Sequence, residues 1–308
     1  MKIIVTGATG FIGKNLLLSL NKEWDVTAIG RNVDELNRIV SDNQLSNVKV
    51  HSCDLSSEGA VEELFGLIGG KFDVCVYLAG NTDPNFSVQN PKEDMLANSG
   101  AVVNFLSRIE VGKFIYFSSG AVYHGLEGEV NPEVTLDPKL PYAISKLASE
   151  QYVQFFQKKG NVGNYLIVRF FGAYGPYEPP RKITTKLIKE LLFEGEDYYE
   201  IYGDGENIID IMFVDDTVDC IINMINDEKI KNVTFDLCTG RQISINNFVM
   251  EVAKILGKED IRIISKGVSN ENIMFRASKD NCEKYFNFKE RVSLDKGLGK
   301  LIQHLKKT

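Results

Sequence analysis

The chain is short of positive charge, of paired cysteines and of long apolar runs. Its 35 Lys and Arg are outnumbered by 42 Asp and Glu, and with three histidines the net charge is −7. No broad basic surface follows, so nucleic acid is not an expected partner. Cys53, Cys75, Cys220, Cys238 and Cys282 are scattered, without a CxxC pair, and read as reduced, mostly buried thiols of a cytoplasmic protein. No stretch approaches the length of a membrane span, and the first residues read as a strand rather than a signal peptide, so no membrane partner is expected. Internal repeats and low-complexity tracts are also lacking. At 308 residues and 44% hydrophobic, the chain can bury a full core in one large domain or two unequal ones.

What is present begins with Lys2-Ile-Ile-Val-Thr6 followed by Gly7-Ala-Thr-Gly10-Phe11-Ile12-Gly13. The β-branched run predicts a buried first strand, and Phe11 to Leu20 has helical apolar spacing. Glycines at such a strand-to-helix turn suit a dinucleotide: Gly7 for the tight turn, Gly10 for close approach to pyrophosphate, Gly13 for packing helix on strand. The helix N-terminus would hold the anion. The spacing is GxxGxxG rather than GxGxxG. Further strands are expected at Asp25–Ile29, Val48–Ser52, Asp73–Leu78, Lys113–Phe117 and Tyr165–Arg169. Helices are expected between them, a long one near Glu93–Glu110, and others near Ala143–Gln157 and Thr184–Phe193. This alternation predicts an α/β fold, a Rossmann-like doubly wound parallel sheet. The expected division is a dinucleotide-binding domain over residues 1–170, with a returning segment near 207–238. A smaller, discontinuous substrate-binding part then takes 171–206 and 239–308, over the strand ends where open α/β sheets bind ligands.

Tyr142 and Lys146 lie at i and i+4, so they share a helix face, and an ammonium beside a phenol favours phenolate. That suits a general acid/base acting on a carbinol/carbonyl pair. A YxxxK spacing alone says little, because helices place such pairs on their surfaces for ordinary reasons; beside a dinucleotide loop it becomes specific.

These motifs run nearly end to end, and they continue with Asp54-Leu55, Leu78-Ala79-Gly80, Asn98, Ser118-Ser119-Gly-Ala-Val-Tyr123, Arg169-x4-Tyr-Gly-Pro176, Gly203-Asp-Gly205 and Val214-Asp-Asp216. Together they make the chain resemble an extended short-chain dehydrogenase/reductase of the branch acting on nucleotide-linked sugars. The resemblance implies that Ser119 hydrogen-bonds the reacting oxygen, Tyr142 is the acid/base, and Lys146 also holds the nicotinamide ribose. It implies that Asp54 recognises the adenine amino group; a helix cap near Ser57 is its competing role. Asp215-Asp216 is expected to cap the next helix rather than bind metal.

The second strand ends without the Asp or Glu that usually accepts from an NAD ribose, and Arg31 could pair with a 2′-phosphate, so the expected cofactor is NADP, with NAD as the alternative. Relatives that dehydrate place an Asp-Glu pair after the catalytic hydroxyl residue, decarboxylating relatives a Glu in this stretch, and those that invert neighbouring carbons a Cys and a His. Gly120-Ala121 stands here instead. What remains is exchange at one carbon. A 4-ketoreductase is the first expectation, supported by similarity of the run Asn272–Lys279 to reductases of 4-keto-6-deoxy nucleotide sugars. A redox-neutral 4-epimerase holding NAD is the alternative, and a silent cofactor-sensing regulator the third. On the substrate side, Gly172 and Ile209 replace an Asn and an Arg that relatives use near phosphate. Asn98, Arg181, Lys182 and Arg276 are the substrate candidates, and Tyr174, Tyr177, Tyr198 and Tyr199 could stack on a base. The resemblance also implies a homodimer.

Overall fold

The computed structural model describes residues 1–267, 273–286 and 288–307; Asn272, one end of the run noted above, lies outside them. The chain begins β1 (Lys2–Thr6), α1 (Phe11–Ser19), β2 (Asp25–Gly30), α2 (Val33–Asp42), β3 (Val48–Ser52), α3 (Glu58–Ile68) and β4 (Lys71–Tyr77). It continues through α4 (Pro84–Gln89), α5 (Pro91–Met95), a π-helical turn (Leu96–Gly100), α6 (Ala101–Leu106) and β5 (Glu110–Ser119). A 3-10 turn (Gly120–Tyr123) leads to β6 (Glu127–Val130), α7 (Pro141–Lys159) and β7 (Val162–Phe170). Beyond these lie β8 (Ala173–Tyr174), α8 (Ile183–Ile188), a second π-helical turn (Lys189–Glu194), β9 (Tyr198–Tyr202), β10 (Ile208–Ile209), β11 (Met212–Phe213), α9 (Val214–Asn226) and β12 (Val233–Leu237).

Seven of these strands form one sheet in the order β12-β7-β5-β4-β1-β2-β3, every pairing parallel. Strand order reverses between β1 and β4, which opens a crevice at the carboxyl edge there. Successive strand residues face opposite sides: Ile3 and Val5 join one core with Leu16, Leu17, Val218 and Ile221, while Ile4 joins the other with Val61, Phe105, Val153 and Phe156. Helices thus cover both faces, the Rossmann-like doubly wound arrangement. The rest pairs in short ladders, β6 with 274–277, β9 with 262–266, β10 with 243–244 and β11 with β8.

Two expected elements differ. The long helix at Glu93–Glu110 is instead α5, the π turn and α6, and it stops at Leu106 because Glu110 already opens β5. Likewise Thr184–Phe193 is α8 continued by the second π turn. Strands β5 and β7 start earlier than expected, before Gly112 and Gly163. These glycines are close-approach points within the sheet: an added Cβ would lie 2.8 Å from the Asp73 carbonyl oxygen at Gly112 and 2.6 Å from that of Gly112 at Gly163. Helix α7 begins at Pro141, whose missing N–H costs nothing at a first turn, and ends on Gly160 in the left-handed region (φ 95°).

Candidate active site

The glycine loop sits at the carboxyl end of β1, tied to the end of β4 by Thr6, whose Oγ1 accepts from the backbone N–H groups of Leu78 and Ala79, both at 3.2 Å. Gly7 has φ 64°, and a Cβ there would lie 2.8 Å from Ala79 N. At Gly13 a Cβ would meet the Gly7 carbonyl oxygen at 2.4 Å and Ala8 Cα at 2.8 Å, so α1 can lie this close to the loop only with glycine. Gly10 caps α1 with no side-chain hydrogen bond, leaving the first-turn N–H groups facing outward. Phe11 and Ile12 begin the helix, both half-buried and packed on the core. A bare helix N-terminus behind a glycine cradle fits a dinucleotide's pyrophosphate.

The other candidates for cofactor contact line the same sheet edge. Arg31 follows β2, Asp54 and Leu55 follow β3, and Leu78, Ala79 and Gly80 follow β4. Asp54 does not cap α3. Its Oδ1 accepts from the backbone N–H of Ser56 at 3.0 Å and from that residue's hydroxyl at 2.7 Å, while Ser57 is the cap, accepting from Ala60 N. The Ser56 hydroxyl, with Arg31 adding to it, holds the Asp54 carboxyl below its ordinary value.

Ser119 ends β5 and opens the 3-10 turn, its Oγ accepting from Ala121 N at 3.1 Å. Ser119 thus satisfies a strand-end backbone group, and a hydroxyl that accepts from backbone keeps a hydrogen to donate. Ala121 in that turn packs on Leu140, Tyr142 and Ala143, which joins the turn to the start of α7. Tyr142 is 7% exposed, and its backbone N–H donates to Ser87 Oγ at 3.1 Å. Lys146, 4% exposed, donates to the Phe117 carbonyl oxygen at 3.0 Å and lies 5.2 Å from the Tyr116 ring centre. Burial pushes its ammonium down to about 8, while Asp94 and Glu150 work against that fall. The next residue along this helix stripe is Glu150, which accepts from Ser118 Oγ at 2.5 Å and pairs with Arg169 at 2.8 Å. Arg169 Nη1 donates to Tyr123 Oη at 2.9 Å, and that hydroxyl donates to Asp236 at 2.8 Å. A buried polar chain thus backs the Tyr142–Lys146 face. The spacing of Tyr142, Lys146 and Glu150 at i, i+4 and i+8 could have disclosed it.

The substrate candidates are not all brought together. Asn98, 1% exposed, lies in the π turn against Gly80 and α7. Arg181 is exposed and pairs with Asp83 at 3.4 Å, and Lys182 is exposed just before α8. Arg276 donates to Gln242 at 3.1 Å and lines a separate small cavity with Arg241, Asp210 and Phe171. Nothing in the Thr239-Gly-Arg241 sequence signals that second arginine. Two expectations need correcting. Tyr174 and Tyr199 are core residues (2% and 3% exposed), so they cannot stack on a base, and Tyr177 stacks edge-on with His304. Asp215 and Asp216 lie in the first turn of α9 but do not cap it: Asp215 pairs with Lys300, and Asp216 accepts from the N–H groups of Arg291 and Val292.

Fold and site together define a Rossmann-like α/β protein with a serine, a tyrosine and a lysine at one edge of its sheet. The model of the NAD dependent epimerase/dehydratase family matches residues 3–238, and the chain belongs to that family, an extended short-chain dehydrogenase/reductase as its motifs imply. It is 25% identical to an uncharacterized UDP-glucose epimerase of Bacillus subtilis, with 99% of this chain and 98% of that protein covered. Among solved structures, the UDP-glucuronic acid 4-epimerase of Bacillus cereus in complex with UDP-glucuronic acid and NAD is similar, with TM-score 0.86, 25% identity, and 100% and 99% of the two chains covered. The UDP-glucose 4-epimerase of Thermotoga maritima with UDP-glucose has TM-score 0.85 at 25% identity, over 100% of this chain and 99% of that one. Among the described residues no helix is long and apolar enough to cross a membrane.

Proposed function

We propose that the chain is a nucleotide-sugar 4-epimerase that retains NAD, the redox-neutral alternative rather than the NADP-dependent ketoreductase expected first. The observation that carries this reading is the turn after Ser119: Gly120, Ala121, Val122 and Tyr123 bring no carboxyl group beside the Ser119, Tyr142 and Lys146 cluster. A second acid or base for dehydration is therefore missing from that turn, and chemistry at one carbinol carbon is what the cluster serves. The epimerase relatives along the full chain, and NAD in the B. cereus complex, support the choice of epimerase and of NAD. Arg31, the residue that favoured NADP, has the Asp54 carboxylate as an electrostatic neighbour, and Asp34 and Glu35 open α2 just beyond it. Glu35 is paired with Lys14 at 2.5 Å, so Asp54 and Asp34 are the anions that oppose a 2′-phosphate.

In this mechanism Gly7, Gly10, Phe11, Ile12, Gly13, Arg31, Asp54, Leu55, Leu78, Ala79 and Gly80 would hold the dinucleotide. When bound, NAD would supply reversible hydride exchange at the sugar carbon. Tyr142, as phenolate, takes the proton of the sugar hydroxyl and later returns it. Ser119 donates to the same oxygen and stabilises charge that develops there. Lys146, as ammonium, would favour the phenolate and hold the nicotinamide ribose. Asn98, buried against Gly80, is the polar candidate for the sugar, and Arg181, Lys182 and Arg276 are the cationic candidates for the sugar nucleotide's phosphates.

Two experiments test the reading. Nucleotide released from the denatured purified protein should be NAD by mass. The native protein should then interconvert UDP-glucose and UDP-galactose, followed by NMR, with no cofactor added. Stoichiometric consumption of NADPH with a 4-keto nucleotide sugar would instead restore the ketoreductase. The homodimer is part of the same proposal. Ile144, Tyr152 and Phe155 are 49%, 43% and 55% exposed on one face of α7, near Met95 and Leu96 at 48% and 39%. A second copy related by a two-fold axis would cover this face with itself. Phe155→Glu should then sediment as a monomer while the parent sediments as a dimer; a monomeric parent refutes the assignment.

A further inference from the structure

Asp94, on the last turn of α5, is fully buried (0% exposed), and three segments converge on it. Asn81, in the loop after β4, donates through Nδ2 to Oδ1 at 2.7 Å. Asn98, in the π turn, donates through Nδ2 to the same oxygen at 2.9 Å. Ser145, on α7, donates through Oγ to Oδ2 at 2.6 Å. An ionised carboxylate only accepts, so every partner must turn a hydrogen toward it. For Asn98 this decides which way the amide lies. Its Nδ2 faces Asp94, with Ser145 Oγ also at 3.3 Å, and its Oδ1 is forced to the opposite side. That oxygen is buried and has no hydrogen-bond partner among the described residues. It points at Gly80: a Cβ built there would lie 2.4 Å from Asn98 Oδ1 and 3.6 Å from Lys146 Nζ. Only a residue without a side chain lets the oxygen and the ammonium close on the same patch.

Charge tells the same story. The groups around Lys146 are Asp94 from α5, Glu150 from its own helix, the Tyr116 ring from β5, the Phe117 carbonyl from the same strand, and Tyr142 one turn back. Glu150 is neutralised by Arg169 at 2.8 Å. Asp94 is held only by neutral partners, so its charge is uncompensated except by Lys146.

We propose that Asp94 is a positioning residue: it turns the Asn98 carbonyl oxygen toward Lys146 and sets a fixed negative charge behind the Lys146 ammonium. The proposal rests on the epimerase reading for its kinetic consequence, not for its geometry. Asn at position 94 would offer one oxygen to three donors and turn an NH2 toward them, so the Asn98 amide should flip and set a donor against the ammonium. Removing the charge also removes the larger of the two influences that hold Lys146 up against burial.

The test is Asp94→Asn with Asn81→Ser as the control that keeps the carboxylate. For Asp94→Asn the alkaline limb of kcat should move to lower pH by about half a unit or more, with kcat about threefold or more lower above the limb and KM within about threefold. Asn81→Ser should keep the parent's limb. A limb that stays in place in Asp94→Asn, or a change confined to KM, overturns the proposal. Should Asp94→Asn fail to fold, neutron diffraction of the parent decides: Asn98 Nδ2 facing Lys146 overturns it, Oδ1 facing Lys146 supports it. If the parent turns over no nucleotide sugar, the functional reading falls, and the neutron structure still tests the positioning role.

Discussion

Tyr142→Phe should lower kcat by about 10²–10⁴-fold while the protein still folds and still retains NAD. The change removes one oxygen and keeps the ring, which is 7% exposed and packed with Leu140 and Ala143. The tie to Ser87 runs through the Tyr142 backbone N–H and survives. What is lost is the proton carrier at the sugar oxygen; Ser119 can still donate to that oxygen but has no means of taking its proton. Epimerisation rate and bound NAD, measured on the same preparation, separate chemistry from binding. Turnover within tenfold of the parent would remove Tyr142 from its role.

Glu150→Ala should be the most destabilising single change in the polar chain behind the site, by about 3–5 kcal/mol. Glu150 and Arg169 have side chains only 3% and 6% exposed, and their carboxylate and guanidinium share bonds at 3.1, 3.3 and 2.8 Å. Truncating the glutamate leaves the guanidinium buried without its counter-charge and deprives Ser118 of its acceptor. Urea denaturation read by circular dichroism checks the loss. A fall below about 1 kcal/mol would mean that water or a shifted side chain replaces the carboxylate.

The central sheet was legible because its strands are buried on both faces and read as apolar runs, and because glycines bracket β1 and α1. Ends of strands were less so. Gly112 and Gly163 fall just before the strand starts expected at Lys113 and Tyr165, yet both lie inside strands, where each allows a neighbouring carbonyl to approach within 3 Å of where a Cβ would stand. The break of the expected 93–110 helix was not legible either. A π turn arises from one extra residue in a helical repeat, and here it carries Asn98, whose bonds to Asp94 and Ser145 join it to α5 and α7 in a way no local spacing reveals. That Tyr142 and Lys146 share a helix could be read from their spacing, and that Ser119 ends a strand from the apolar run before it. Arg241 could not, because it meets Arg276 only when 239–242 and 274–277 are folded side by side.

Helix α7 carries the proposed proton-handling face and the Glu150 of the buried ion pair on one stripe, so changes aimed at one disturb the other. Laboratory evolution toward new sugars would therefore find few tolerated changes there. It should find more in the 175–182 connection, where Arg181 and Lys182 hang at the surface and the scaffold loses little by their replacement.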